Sequence, residues 1–143
     1  MILRLLEIRE AVGENVNSPE SVANQMIDQA RADRECLWVM HLNNQSKVLD
    51  LELVAMGTVN MSFSTGREVY RRAVINSTVS VILIHNHPGG DPAPSKEDIH
   101  FYERLKSGGE LLGIAMLDFI IITPGGKCWS QTRGGHFTIK MPK

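Results

Sequence analysis

The residues best suited to chemistry lie in one short stretch, His85-Asn86-His87, followed after seven residues by Ser95-Lys96-Glu97-Asp98. Side chains at i and i+2 of a strand share a face, so His85 and His87 can offer two imidazoles to one point while Asn86 faces away. Two neutral imidazoles at a strand end are a natural start for a zinc site. The intervening Pro88-Gly89-Gly90-Asp91-Pro92-Ala93-Pro94 can continue neither helix nor strand, because proline removes donors and glycine permits unusual dihedrals; it reads as a loop that turns the chain back. Asp98 then falls in the first turn of the next helix, where its carboxylate can be a third ligand and leave the fourth tetrahedral position to water. The same spacing has a purely structural reading. Ser95 three residues before Asp98 is the pattern of a helix capping box. The two roles are compatible, since one turn can hold Asp98 near a metal and leave the Ser95 hydroxyl facing a substrate.

These groups need a framework, and the rest of the chain supplies one. Ser18-Pro19-Glu20-Ser21 marks a helix start, with helical spacing of Val22, Met26, Ile27 and Ala30 carrying it to about Ala32. Cys36–Leu42 reads as a buried strand, Asn43–Ser46 as a turn and Val48 to about Val59 as the return strand of a hairpin. Thr65-Gly66-Arg67-Glu68 opens a second helix, with Val69, Ala73 and Val74 inward and the arginines toward solvent. The β-branched run Ser80–Ile84, ending at His85, suits a central strand covered on both faces. A third helix runs from Lys96 to about Ser107 and is ended by Gly108-Gly109. Leu111–Leu117 and Phe119–Thr123 follow as one or two strands, then a less regular glycine-rich tail. The whole reads as an α/β domain, a mixed sheet flanked by helices, over residues 18–143, with residues 1–17 as an N-terminal extension.

Composition narrows the classes. A chain of 143 residues, 43% hydrophobic, can bury one core and is unlike a disordered protein. No apolar run approaches the 18 or so residues of a membrane span, and Glu7 interrupts the N-terminus too early for a secretory signal, so a cytoplasmic protein is expected. Cys36 and Cys128 form no C-x-x-C pair and read as buried thiols. The net charge of -1 gives no indication of nucleic-acid binding, although Arg67, Arg71 and Arg72 cluster locally.

The His85-x-His87, seven residues, Ser95, two residues, Asp98 pattern resembles the metal-binding signature of the JAB1/MPN/Mov34 (JAMM) metalloprotease family. The wording from His85 to Asp98, with its Pro/Gly loop, is similar to the bacterial RadC-like branch, and the similarity extends from about Glu35 to Ser130. This resemblance implies the cytidine-deaminase-like MPN/JAMM fold, zinc as cofactor, and His85, His87 and Asp98 as its ligands. Ser95 becomes the hydroxyl beside the metal, and Glu35, immediately before the first strand, occupies the place of the family's general base. Such a base takes the proton of a water whose pKa zinc has lowered to about 7, and hands it to a leaving amine, while Ser95 steadies the oxyanion. Glu52, Glu68 and Glu97 compete for the base role. The RadC-like pattern usually carries a histidine where this chain has Phe119, and longer members carry an N-terminal helix-hairpin-helix region.

Among the other histidines, His41 reads as a hydrogen-bonded core or surface residue, His100 diverges from Asp98 on its helix by about 200°, and His136 belongs to the surface. Trp38 and Trp129 read as core or rim packing. The expectation is a zinc-dependent hydrolase acting on an amide or isopeptide bond of a peptide or protein substrate. Its rivals are an accessory or DNA-binding protein of DNA metabolism and a metal-bearing inactive scaffold.

Overall fold

The computed structural model describes residues 15–57 and 66–143. Six strands form one mixed sheet between two helical layers, as the alternation of helix and strand signals requires. In chain order the elements are α1 (Pro19–Asn24), α2 (Ile27–Ala30), β1 (Cys36–Leu42), β2 (Val48–Met56), α3 (Gly66–Ile75), β3 (Ser80–Asn86), α4 (Lys96–Leu112), β4 (Ala115–Ile122), β5 (Lys127–Ser130) and β6 (Gly135–Thr138). The sheet order is β2-β1-β3-β4-β5-β6. β3 and β4 are parallel, joined by the α4 crossover, and every other neighbouring pair is antiparallel.

Strand alternation divides the core in two. Cys36, Trp38, Met40, Ile82, Ile84, Ile120 and Ile122 pack with Val22, Ala23, Met26 and Ala30 of α1 and α2. Leu37, Val39, Val81, Leu83, Phe119 and Ile121 pack on the opposite face against Val69, Tyr70 and Ala73 of α3 and Phe101, Tyr102 and Leu105 of α4. Both faces of the central strands are covered, and β1 and β3 are accordingly buried along their whole length and largely apolar.

Several boundaries differ from the sequence reading, each for a local reason. The first helix breaks into α1 and α2, because the Gln25 and Met26 amides bond back three residues, to Val22 and Ala23, and close the ladder there. The return strand β2 stops at Met56, where Gly57 takes a positive φ of 99°; the expected continuation to Val59, like Thr65 and most of the N-terminal extension, lies outside the described residues. Val16, placed in that extension, is buried in the core, and Asn15 bridges to Lys47. β3 runs one residue past His85, to Asn86. Gly108-Gly109 does not end the third helix: α4 continues to Leu112 and stops at left-handed Gly113. The second glycine is retained by packing, since Gly109 lies against Tyr70 and the Ile114 carbonyl. Leu111 and Leu112 are therefore helical, and the strand after them is the single β4. The tail read as irregular is a regular β5–β6 hairpin. Arg72, expected in solvent with its neighbours, instead donates to Asp50 at 2.7 Å. Among the described residues, no helix is long and apolar enough to cross a membrane.

Candidate metal centre

Antiparallel pairing of β1 with β3 sets Leu37 opposite His85. Continuing that register two residues on from this pair, one past each strand end, brings Glu35 level with His87, so a residue 50 positions before His85 reaches the histidine pair through one strand pairing. Glu35, His85 and His87 each offer a ligand atom, and those atoms lie within 4.8 Å of one another. His85 ends the face of β3 that looks toward α4, and the first turn of α4 returns Asp98, whose Oδ2 lies 3.6 Å from His87 Nε2. That separation is too long for a good hydrogen bond, so the contact is electrostatic.

Both imidazoles are oriented by their other nitrogen. His85 Nδ1 is 2.7 Å from the Cys36 carbonyl and His87 Nδ1 is 2.7 Å from the Asp91 carbonyl. A carbonyl can only accept, so each Nδ1 carries a proton, and in the neutral ring Nε2 keeps its lone pair for a cation. This is the supporting shell that metal-bound histidines ordinarily have. The Pro/Gly loop is built to deliver one of those carbonyls: the Gly90 amide closes a turn on the His87 carbonyl, and the Asp91 side chain accepts from the Ala93 amide.

Asp98 and Ser95 form the expected capping box. The Ser95 amide donates to Asp98 Oδ2 at 2.9 Å, and the Asp98 amide donates to Ser95 Oγ at 3.0 Å. The Ser95 hydroxyl hydrogen has no acceptor among the described residues and remains available. Burial pushes the His85 imidazole below its ordinary pKa, outweighing the Cys36 carbonyl and Asp98. Burial acts the same way on His87, but Asp98 and the Asp91 carbonyl outweigh it and hold that ring above its ordinary value. For Asp98 burial works to raise the pKa, while His87 and the Ser95 contacts prevail and lower it. At neutral pH the set therefore holds an anionic carboxylate and a neutral His85. These are the forms that bind zinc, and the donor set of two imidazoles with carboxylates fits that ion.

The other candidates fall elsewhere. Glu52 is buried against His41 Nε2 at 3.0 Å, and His41 Nδ1 lies 3.2 Å from Thr78 Oγ1, so His41 is a bonded core histidine. Glu68, Glu97, His100 and His136 are exposed. Trp38 belongs to the core, and Trp129 packs half-buried, edge-on to His136. Cys36 and Cys128 are buried free thiols. Phe119 is fully buried and stacks on Tyr102, two residues down β4 from Ile121, the partner of His85. An open cleft of about 500 Å³, lined by Asp33, Arg34, Glu35, Gly57 and Pro88, adjoins the site. A second cleft, about 720 Å³, lies between α3 and α4 and shares none of these residues.

Sequence reasoning passed over two polar features. Asn86, fully buried, accepts from the Cys36 amide and donates to the Arg34 carbonyl. Its signal was available: it follows Ile82 and Ile84 on one face of an otherwise apolar stretch of β3. Asp118, also buried, accepts from Ser130 Oγ and from the Phe119 and Thr132 amides. Only the pairing of β4 with β5 reveals that second network.

The RadC-like JAB domain matches residues 16–136 of the chain. A UPF0758 protein of Desulforudis audaxviator is 44% identical over 108 residues, 75% of this chain and 47% of its own. UPF0758 proteins of Caldanaerobacter subterraneus and Methanosarcina mazei are 42% and 40% identical, over 79% and 85% of this chain and 50% and 54% of theirs. The chain thus spans about half the length of the curated relatives it matches.

Proposed function

The chain belongs to the RadC-like JAB domain family, and from the groups gathered at the end of β3 we propose that it is a zinc-dependent hydrolase cleaving an amide or isopeptide bond in a peptide or protein substrate. The observation that carries this reading is the convergence of Glu35, His85 and His87 within 4.8 Å, with both Nδ1 atoms already engaged by carbonyls. His85 and His87 would hold the metal together with Asp98, which lies outside the 4.8 Å group but has its Oδ2 3.6 Å from His87 Nε2. Bound there, zinc supplies Lewis acidity that makes water nucleophilic near neutral pH and polarises the scissile carbonyl.

The remaining work belongs to the protein. Glu35, half-buried at the mouth of the open cleft, takes the proton of the attacking water and passes it to the leaving amine. Ser95 anchors Asp98 through its oxygen and directs its hydroxyl hydrogen at the developing oxyanion. Burial of His85 favours the neutral ring, the form competent as a ligand.

Metal analysis with His85→Ala as control, followed by turnover of a mixed set of peptidyl aminocoumarin amides, tests the reading. Stoichiometric zinc in the wild type, absent in His85→Ala, is expected; Glu35→Gln keeps the zinc and loses turnover. A wild-type protein that takes up no zinc sinks the proposal, and a zinc-loaded but inert wild type points to a scaffold. The DNA-metabolism reading draws on Arg67, Arg71 and Arg104, which have no ion-pair partner among the described residues and line the α3–α4 cleft. With a net charge of -1 it ranks second. Anisotropy of a labelled duplex, showing tight binding with a steep salt slope, would promote it.

A further inference from the structure

We propose that Asn86 is a positioning residue that holds Glu35 at the metal centre, an inference that rests on the reading of Glu35 as the base. Glu35 lies just outside the β1 ladder, where a chain end ordinarily frays into water. Here three bonds from two consecutive residues of β3 fix the backbone on either side of it. Asn86 Oδ1 accepts the Cys36 amide at 2.6 Å, Asn86 Nδ2 donates to the Arg34 carbonyl at 2.9 Å, and His85 Nδ1 donates to the Cys36 carbonyl. The Glu35 carbonyl is itself held by the Gly57 amide at 2.9 Å. The Glu35 carboxylate, by contrast, has no hydrogen-bond partner among the described residues. The backbone is clamped and the reactive group is free, which is the arrangement a general base needs.

The chemistry of the clamp explains the residue type. A side-chain amide offers one acceptor and one donor in a plane, as a peptide group does, so Asn86 extends the β1–β3 ladder by one rung using its side chain. Asn86 is fully buried, and its bond to the Cys36 amide is buried with it. His85 and Asn86 point to opposite faces, so one strand end sets both a ligand and the residue that must work beside it.

The test uses the zinc-loaded chain and the variants Asn86→Ala and Asn86→Asp, the second retaining the acceptor and losing the donor. Amide hydrogen exchange is expected to speed up at Cys36 by about tenfold or more in Asn86→Ala, with the Leu83 and Ile120 amides unchanged and zinc still bound, since no ligand is altered. On the peptidyl aminocoumarin amides kcat falls about 100-fold, the cost of misplacing a catalytic group by about an ångström. KM stays within about threefold, Asn86→Asp lies between, and the Asn86→Ala, Glu35→Gln double variant is no slower than Glu35→Gln alone. Unchanged Cys36 exchange overturns the clamp whether or not a substrate is turned over. Loss of zinc together with turnover reduces Asn86 to general structure and overturns it also. Full kcat in Asn86→Ala beside an inert Glu35→Gln overturns positioning and leaves the base standing; full turnover in Glu35→Gln removes the base itself.

Discussion

Asp98 caps a helix and faces a histidine with the same oxygen, so one substitution can separate the two roles. Replacing it with asparagine keeps an oxygen for the Ser95 amide, now 2.9 Å from Asp98 Oδ2, and removes the charge beside His87. In metal-free protein the loss is then only charge assistance at a helix start, about 0.3–1 kcal/mol. Asp98→Ala also removes the acceptor of the Ser95 amide, a hydrogen bond worth about 0.5–1.5 kcal/mol. Zinc divides the variants more sharply. Free zinc at 100 times the wild-type dissociation constant adds about 2.7 kcal/mol to wild-type stability. Perturbing even the shell behind a metal ligand costs about 10–100-fold in affinity, so losing an anionic ligand is taken at the upper end. At that loss the same zinc concentration only equals the weakened dissociation constant, and the gain shrinks to about 0.4 kcal/mol. Urea unfolding with EDTA and with buffered zinc reads both numbers. If zinc stabilises Asp98→Asn as much as the wild type, Asp98 is a cap and nothing more.

Neighbouring glycines in α4 should respond with opposite signs. Gly108→Ala meets nothing closer than 4.0 Å and gains about 0.5–1 kcal/mol from helix propensity, whereas Gly109→Ala drives its Cβ into the Ile114 carbonyl and the Tyr70 hydroxyl. Overpacking and disturbance of the Tyr70 bond to the Leu105 carbonyl outweigh propensity there by about 1–3 kcal/mol, and thermal melts with equal shifts for both would refute the packing argument. The His41 network gives a pH dependence. Burial lowers the His41 pKa despite Glu52, so below its ordinary value of 6.5 the unfolded chain binds the proton first. Its contribution is complete above pH 6.5 and falls away as pH drops from there toward the folded value. His41→Gln should flatten the change in urea midpoint between pH 7.5 and 5.5, and an unaltered slope would exclude His41 as its source.

The proximity of His85, His87 and Asp98 and the Ser95 cap were legible because these residues are local: they fall within fourteen consecutive positions, and strand and helix periodicities decide which way they point. The sheet class was legible for the same reason, from the apolar runs of β1 and β3. Glu35 was named through a family likeness; its physical cause, the β1–β3 register, is a long-range pairing that no window of sequence contains. Gly108-Gly109 misled because glycine usually stops helices, and the contact that holds Gly109 within one comes from Tyr70 on α3. The β5–β6 hairpin was obscured by its glycines, Gly134 with a φ of 69° among them, which serve the turn between short strands.

The opposite-facing pair at the end of β3 also bears on how the molecule avoids misfolding. A one-residue slip of β3 against β1 would exchange the two faces, turning His85 into the apolar layer of α1 and α2 and Asn86 toward α4. The slipped chain would separate His85 from Glu35 and His87 and strand a buried amide at once. On the proposed zinc-binding reading, chelation and correct strand pairing depend on a single alignment, and zinc would favour the chains in which β1 and β3 had met in step.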